Sequence, residues 1–188
     1  MLGVLAIVAV LSVGGIAGYS KAMEDYKIQK LISEYNYLIL GLSEYKQNFQ
    51  DTIKTKAYHV VTDVAQNLNL VPRTWKNKTP ILLQDSQGNV CDIRYKNHSN
   101  SLWDGIVITV SLTGNDKYKQ QFCTEIFKNT IKPLHKLLNV VRIIGSEDIS
   151  YLGDTYCSKK CIRDMTLNQI YDICNLCKSQ SCGIIFIF

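Results

Sequence analysis

Residues 1–49, MLGVLAIVAVLSVGGIAGYSKAMEDYKIQKLISEYNYLILGLSEYKQNF, join an uncharged run to a charged, striped stretch with no turn between them. Met1 to Ser20 contain no Asp, Glu, Lys or Arg. A helix rises about 1.5 Å per residue, so this run would extend about 30 Å, the thickness of a bilayer's hydrocarbon core. The run therefore reads as a membrane-spanning segment. A cleaved secretory signal would need a basic n-region, a shorter apolar core and a small-residue cleavage site, and no basic residue precedes the run. A buried soluble helix fits less well, because such helices are rarely apolar all round at a free chain end. Gly14 and Gly18 stand as G-x-x-x-G, with Gly15 and Ala17 nearby, so one side of the helix lets another backbone approach closely.

Beyond Lys21, the apolar residues Ile28, Leu31, Tyr35, Leu38, Leu42, Tyr45 and Phe49 recur in steps of three and four, which is one face of a helix. Glu24, Lys27, Lys30, Glu34, Glu44 and Lys46 occupy the other side, and no proline occurs before Pro72. Together the two patterns predict one helix of about fifty residues, some 75 Å long. Its transmembrane part covers 1–20 and its amphipathic stalk 21–51, ahead of a globular head over 52–188. The same steps also describe a coiled-coil heptad. Tyr26, Tyr35 and Tyr45 among the apolar positions, and Gly41 within the run, suit packing on a sheet better than a dimer seam.

The period then changes. Ile53, Ala57, Val60, Val61, Val64 and Leu68 continue a helical spacing that Val71-Pro72 closes. Ile81 to Gln84, the turn residues Asp85-Ser86-Gln87-Gly88, and Val90 to Tyr95 read as a β-hairpin. Ile106 to Leu112 is a further strand rich in β-branched residues. Asp116 to Asn139 reads as helix, kinked or divided at Pro133. Val140 to Ile144 and Gly183 to Phe188 suit buried strands. Thr166 with Gln169 forms a capping box for a helix through Ile170 and Ile173. The expected class is α+β, a long N-terminal helix packed on a small antiparallel sheet with covering helices.

The chain has 188 residues, three of them proline, which allows one head with a sizeable core. A net charge of +5 and a pI near 8.8 are mild, and the lysines are dispersed. A nucleic-acid partner is not indicated.

The stretch from Met1 through Gly14, Gly18 and Tyr19 to Met23 resembles the N-terminal helix of bacterial type IV pilins and type II secretion pseudopilins. The resemblance covers roughly the first fifty residues. It implies a pilin-like fold and a filament subunit whose helix sits first in the inner membrane and then among neighbouring pilin or pseudopilin subunits. In that family a basic leader ending in glycine, an aromatic or methionine, and an apolar stretch with a glutamate stand just before the region that Met1 occupies. Met1 therefore matches an internal position, and the reading expects either an extension upstream of it or a degenerate copy. Lys21, Lys27 and Lys30 taken alone would hold the head inside, whereas the family leader supplies the opposing charge and places the head outside the cytoplasm, at the periplasm or cell surface.

Seven cysteines are many for this length. Cys157-x3-Cys161 and Cys174-x2-Cys177 have the spacing of a four-thiolate zinc site, and with Cys182 they equally suit a disulfide-stapled segment of an oxidising compartment. Pilin-like heads often carry a C-terminal disulfide loop, so disulfides are favoured over zinc, and no other cofactor is implied. Cys123, on an apolar helix face, reads as a buried structural thiol. Cys174-x2-Cys177 also has redox-exchange spacing, without the preceding strand that would support it. His59 and Asp63 would share a helix face, His98 lies in a polar loop stretch, and Trp75 and Trp103 read as packing residues. No catalytic motif is recognisable. The leading expectation is a structural filament subunit, not an enzyme. The alternative is a single-pass, membrane-tethered binding domain, zinc-stabilised or not, without a filament role.

Overall fold

The computed structural model describes residues 2–54, 58–97, 101–178 and 182–188, without the side chains of 2–15 and 17. Helix α1 runs Leu2–Glu44 and α2 runs Lys46–Thr52. A short strand β1 (Tyr58–Val60), helix α3 (Thr62–Asn67) and strands β2 (Lys76–Thr79), β3 (Leu82–Gln84), β4 (Val90–Lys96) and β5 (Gly105–Leu112) follow. Then come α4 (Asp116–Ile126), a π-helical turn (Phe127–Ile131), β6 (Val140–Ile144), β7 (Ile149–Leu152), α5 (Leu167–Asn175), a 3₁₀ turn (Leu176–Lys178) and β8 (Cys182–Ile187).

The strands make one antiparallel sheet in the order β2-β3-β4-β5-β8-β6-β7, with β1 sharing an edge of β4 beyond the reach of β3. The last strand thus lies inside the sheet, paired with β5 from Val107↔Ile187 to Leu112↔Cys182 and with β6 from Val140↔Ile187 to Ile144↔Gly183. Alternation along β5 sends Ile106, Ile108, Val110 and Leu112 to the helix-covered face. Val107 joins Val140 and Ile187 in a smaller cluster on the other face, where Trp103 packs. The core proper gathers the α1 stripe, α4, α5 and the inner faces of β4, β5, β6 and β8.

The stripe predicted for a stalk is the head's own core: Leu31, Tyr35, Leu38, Ile39 and Leu42 have no exposed surface. At Gly41 α1 lies tight against Leu70, since a Cβ there would lie 2.6 Å from Leu70 Cδ2. The helix is interrupted once, at Tyr45, whose N–H bonds to Leu42 O at 3.0 Å, a three-residue step. Ser43 Oγ has already taken Leu40 O at 2.6 Å, and such back-bonding by serine bends helices.

Four sequence expectations are corrected. The helical spacing over Ile53 to Leu68 gives way to β1 and α3, because an unpaired stretch of β4 offers a ladder to Tyr58–Val60 that local periodicity does not report. His59 therefore sits opposite Tyr95 in the sheet and does not share a helix face with Asp63. The helix from Asp116 stops being α-helical before Pro133: Lys132 N–H reaches back five residues to Phe127 O at 2.9 Å, widening the turn around a ring that clashes with the preceding carbonyl. Strands β2 and β7 were not anticipated, the first being wholly exposed and polar and the second only four residues long. The capping box at Thr166 and Gln169 is present in full.

Among the described residues no helix is long and apolar enough to cross a membrane. The span expected over Met1–Ser20 falls largely on side chains outside the description, and so does Gly14. Among the described residues nothing lies within 4 Å of a Cβ added at Gly18. His98 lies outside the described residues.

Gly105 starts β5 at φ +127°, a conformation that side chains rarely adopt, and a Cβ there would collide with Phe188 O. Gly105→Ala is expected to destabilise the protein by at least about 2 kcal/mol. Urea denaturation checks this, and an unchanged midpoint would contradict the packing described.

Candidate functional site

Helix α1 divides into a buried part and an outward part. Its inward face disappears into the core from Ile28 onward, while Ile16 (69% exposed), Tyr19 (70%) and Tyr26 (62%) stand in the open. Tyr37 and Leu40 extend this outward series along the back of the buried stripe. The first half of the helix thus projects from the head, and its described side chains touch little of it.

A buried polar cluster locks α1 to the sheet. Tyr35 donates its hydroxyl to Asp85 Oδ2 at 3.0 Å, and Asn89 Nδ2 donates to the same oxygen at 2.8 Å and to Tyr118 OH at 2.9 Å. The N–H groups of Gln87 and Asn89 donate to Asp85 Oδ1, both at 2.9 Å, which closes the β3–β4 turn. Thr113 N–H donates to Asn89 Oδ1 at 3.0 Å, tying in the end of β5. Asp85 and Asn89 together therefore fasten four pieces of chain, the carboxylate holding α1 and the hairpin turn and the amide holding the β5–α4 connection and α4. Burial pushes Asp85 above the ordinary carboxylate range despite these donors, and burial with the neighbouring Asp85 charge pushes Tyr35 well up. Beside the cluster, Trp75 Nε1 donates to Glu34 Oε2 at 2.8 Å and its ring lies 4.9 Å from that of Tyr35.

Helix α4 runs alongside α1 and is stitched to it by Gln121 to Asp25 (2.7 Å), Gln29 to Glu125 (2.9 Å) and Asn36 to Asn129 O (3.3 Å). These are amide contacts at the exposed edge of the seam; the apolar residues beneath do the burying.

The cysteines form three disulfides, Cys123–Cys174, Cys157–Cys161 and Cys177–Cys182, and leave Cys91 as a buried free thiol. The zinc reading is thereby corrected: all four of its proposed thiolates are spent in these bonds, and among the described residues no cluster of His, Cys, Asp and Glu could hold a metal. The reading of Cys123 as a lone thiol is corrected too. Its apolar-face position in α4 aims it at α5, where Cys174 occupies the matching buried face. Sequence spacing gave no sign of this pair, since it joins residues 51 apart.

No family model matches the chain, and no curated protein matches it in sequence. Among solved structures it is similar to a type IV b pilin from Salmonella typhi, with a TM-score of 0.51 and 11% identity over 84% of this chain and 96% of that one. The chain has a pilin-like fold.

In this pilin-like head the histidines and clefts are modest. His135 Nδ1 lies 2.9 Å from Asp154, which also faces Arg163 at 3.7 Å, and the group holds the turns after Pro133 to the loop after β7. A cleft of about 360 Å³ between α1 and the start of α4 is lined by Glu24, Lys27, Gln87, Lys117 and Tyr118. Trp75 is buried in the core and Trp103 packs on the sheet's second face. The Asp85 cluster was missed in the sequence because Asp85 and Asn89 look like ordinary turn residues; the one signal was a hydroxyl-bearing residue, Tyr35, flanked in the stripe by Leu31 and Leu38.

Two outcomes follow for this head. Because Asp85 has a raised value when folded, its contribution to stability is present below its ordinary value of 3.8 and is lost as pH rises through the folded value. The stability of the natural protein relative to Asp85→Asn should therefore fall as pH rises over that window, measured by urea unfolding; a rising difference would contradict the burial argument. Replacing Cys123 and Cys174 together by alanine should cost about 4 kcal/mol, as expected for opening a loop of this length, against about 2 kcal/mol for Cys157 and Cys161. Calorimetry of the two double variants checks the order.

Proposed function

We propose that this protein is a structural subunit of a type IV pilus-like or type II secretion pseudopilus-like filament. It is held in the inner membrane by the N-terminal helix with the head outside the cytoplasm, and it assembles with other pilin-like subunits through that helix. The observation that carries this reading is the two-part α1. A single helix of 43 residues spends its C-terminal part as the core of the head and presents the rest beyond it. A helix that served the head alone would have no use for a further uncharged stretch from Met1 to Ser20, and the apolar side chains described on its outward side, Ile16, Tyr19 and Tyr26, are exposed, as at a surface that a partner covers. The pilin-like fold supports the same role.

The small residues explain how the extension could be covered. Among the described residues nothing lies within 4 Å of a Cβ added at Gly18, so its lack of a side chain serves no packing against them. Gly14 and Gly18 would instead admit a neighbouring helix, whether in the bilayer or in a filament core. The role is architectural, with the head supplying the outer surface and α1 the assembly element.

Gly18→Leu and Ile16→Arg, each in the full chain, test this. Both sites are exposed, so the melting temperature of the head should be unchanged, while recovery of sedimentable assemblies from cells that carry the assembly machinery should drop at least about tenfold, the effect of 1.4 kcal/mol lost per contact. Normal assembly of both variants would refute the proposed role of this helix.

A further inference from the structure

The three disulfides differ in what surrounds them. Cys123 and Cys174 are wholly buried between α4 and α5, and Cys177 and Cys182 are buried at the start of β8. Cys157 and Cys161 are half-exposed, and they close a ring whose other members, Ser158, Lys159 and Lys160, are all exposed. A cleft of about 380 Å³, lined by Tyr151, Ser158, Lys159, Lys160, Cys161 and Asp164 among others, opens directly on Cys161.

The peptide around this ring is anchored by bonds that do not involve sulfur. Leu152 N–H donates to Lys160 O at 3.0 Å, Ile162 N–H donates to Leu152 O at 2.9 Å, and Asp164 N–H donates to Cys161 O at 3.2 Å. Ile162 and Met165 on the far side are buried in the core. Within the ring Lys160 is held at φ +55°, a left-handed conformation that lysine adopts at a cost. Opening the ring thus removes a constraint on an unfavourable residue and leaves the flanking contacts in place.

We propose that Cys157–Cys161 is a thiol–disulfide exchange site for a dithiol reductant, opening and reclosing in the folded head while the two buried disulfides stay shut. A thiolate of the reductant enters the cleft and attacks Cys161 Sγ. The Cys157–Cys161 bond breaks, and Cys157 departs as a thiolate that takes up a proton from solvent; its sulfur lies 3.8 Å from Lys159 O, which accepts from the resulting S–H. The second thiol of the reductant, after losing its proton, attacks its own mixed-disulfide sulfur and expels Cys161 as a thiolate, which is protonated in turn. Two electrons pass to the protein, the reductant leaves as a disulfide, and the two protons it gave up are balanced by the two cysteine thiols. Lys159 and Lys160 favour approach of the anionic nucleophile and stabilise the departing thiolate, outnumbering Asp164 on the cleft wall. Arg163 adds little, being engaged with Asp154 at 3.7 Å and Asp164 at 3.5 Å. The proposal does not depend on filament assembly.

The test uses the full-length protein under native conditions. Dithiothreitol is added at neutral pH, samples are alkylated at intervals, and the cysteine peptides are quantified by mass spectrometry while circular dichroism follows the fold. Cys157 and Cys161 should become alkylated together about a hundredfold faster than the other four bonded cysteines, because a buried pair must wait for local opening, and the spectrum should not change. Glutathione disulfide should then restore the bond. Opening of all three pairs together, or only alongside unfolding, would overturn the proposal. As a second arm, Lys159→Glu with Lys160→Glu should slow reduction by glutathione several-fold at low salt and much less at high salt, reflecting loss of charge attraction. A rate indifferent to the charge reversal would overturn the part assigned to the lysines.

Discussion

The structure depends on the burial of one face of α1, from Ile28 to Leu42, against the antiparallel sheet. Those side chains share one core with the inner-face residues of β4, β5 and β8 and the buried residues of α4, and without them part of the helix-covered face of the sheet would stand open to water. Burying an aliphatic side chain fully is worth about 1.5–3 kcal/mol, so the stripe is a major share of what holds the head together. A helix gripped this firmly cannot change its angle freely.

Polar chemistry then fixes the register of that grip. An apolar stripe can slide by a turn at modest cost, but Tyr35 reaching Asp85 cannot, since a displaced hydroxyl would leave a buried carboxylate short of a donor. The same carboxylate shapes the β3–β4 turn, and Asn89 passes the constraint to Thr113 and Tyr118. The cluster thus sits midway along the buried stripe of α1. The Cys123–Cys174 bond performs a comparable service between α4 and α5, holding the two helices that cover the sheet beside α1.

Much of this was legible in the residues. The stripe from Ile28 to Phe49, the hairpin around Asp85 to Gly88, the β-branched run of β5 and the capping box at Thr166 all carry local signatures; the last three formed where those signatures placed them, and the stripe is helical but broken at Tyr45 into α1 and α2. What stayed hidden was set by partners remote in sequence. The Tyr58–Val60 segment became a strand because β4 had an edge to fill, and β2 is so polar that pairing with β3 alone makes it a strand. Of the candidate site residues, the half-exposed Cys157–Cys161 pair is local enough to be suggested by spacing. Cys174 and Cys177, which spacing alone would group together, went to different partners because α5 presents Cys174 to α4 while the turn after it hands Cys177 to β8.

In the proposed filament the projecting half of α1 is the assembly surface. Intermolecular cross-linking tests it most directly, with a cysteine placed at Tyr19 in the full chain, expressed in cells that carry a pilus or secretion-filament assembly machinery, and probed with a short bifunctional reagent. The account predicts a ladder of cross-linked multimers joined through that position, which is accessible in the isolated protein. Exclusively monomeric product, with the cysteine freely labelled by a membrane-impermeant maleimide in intact cells, would contradict it.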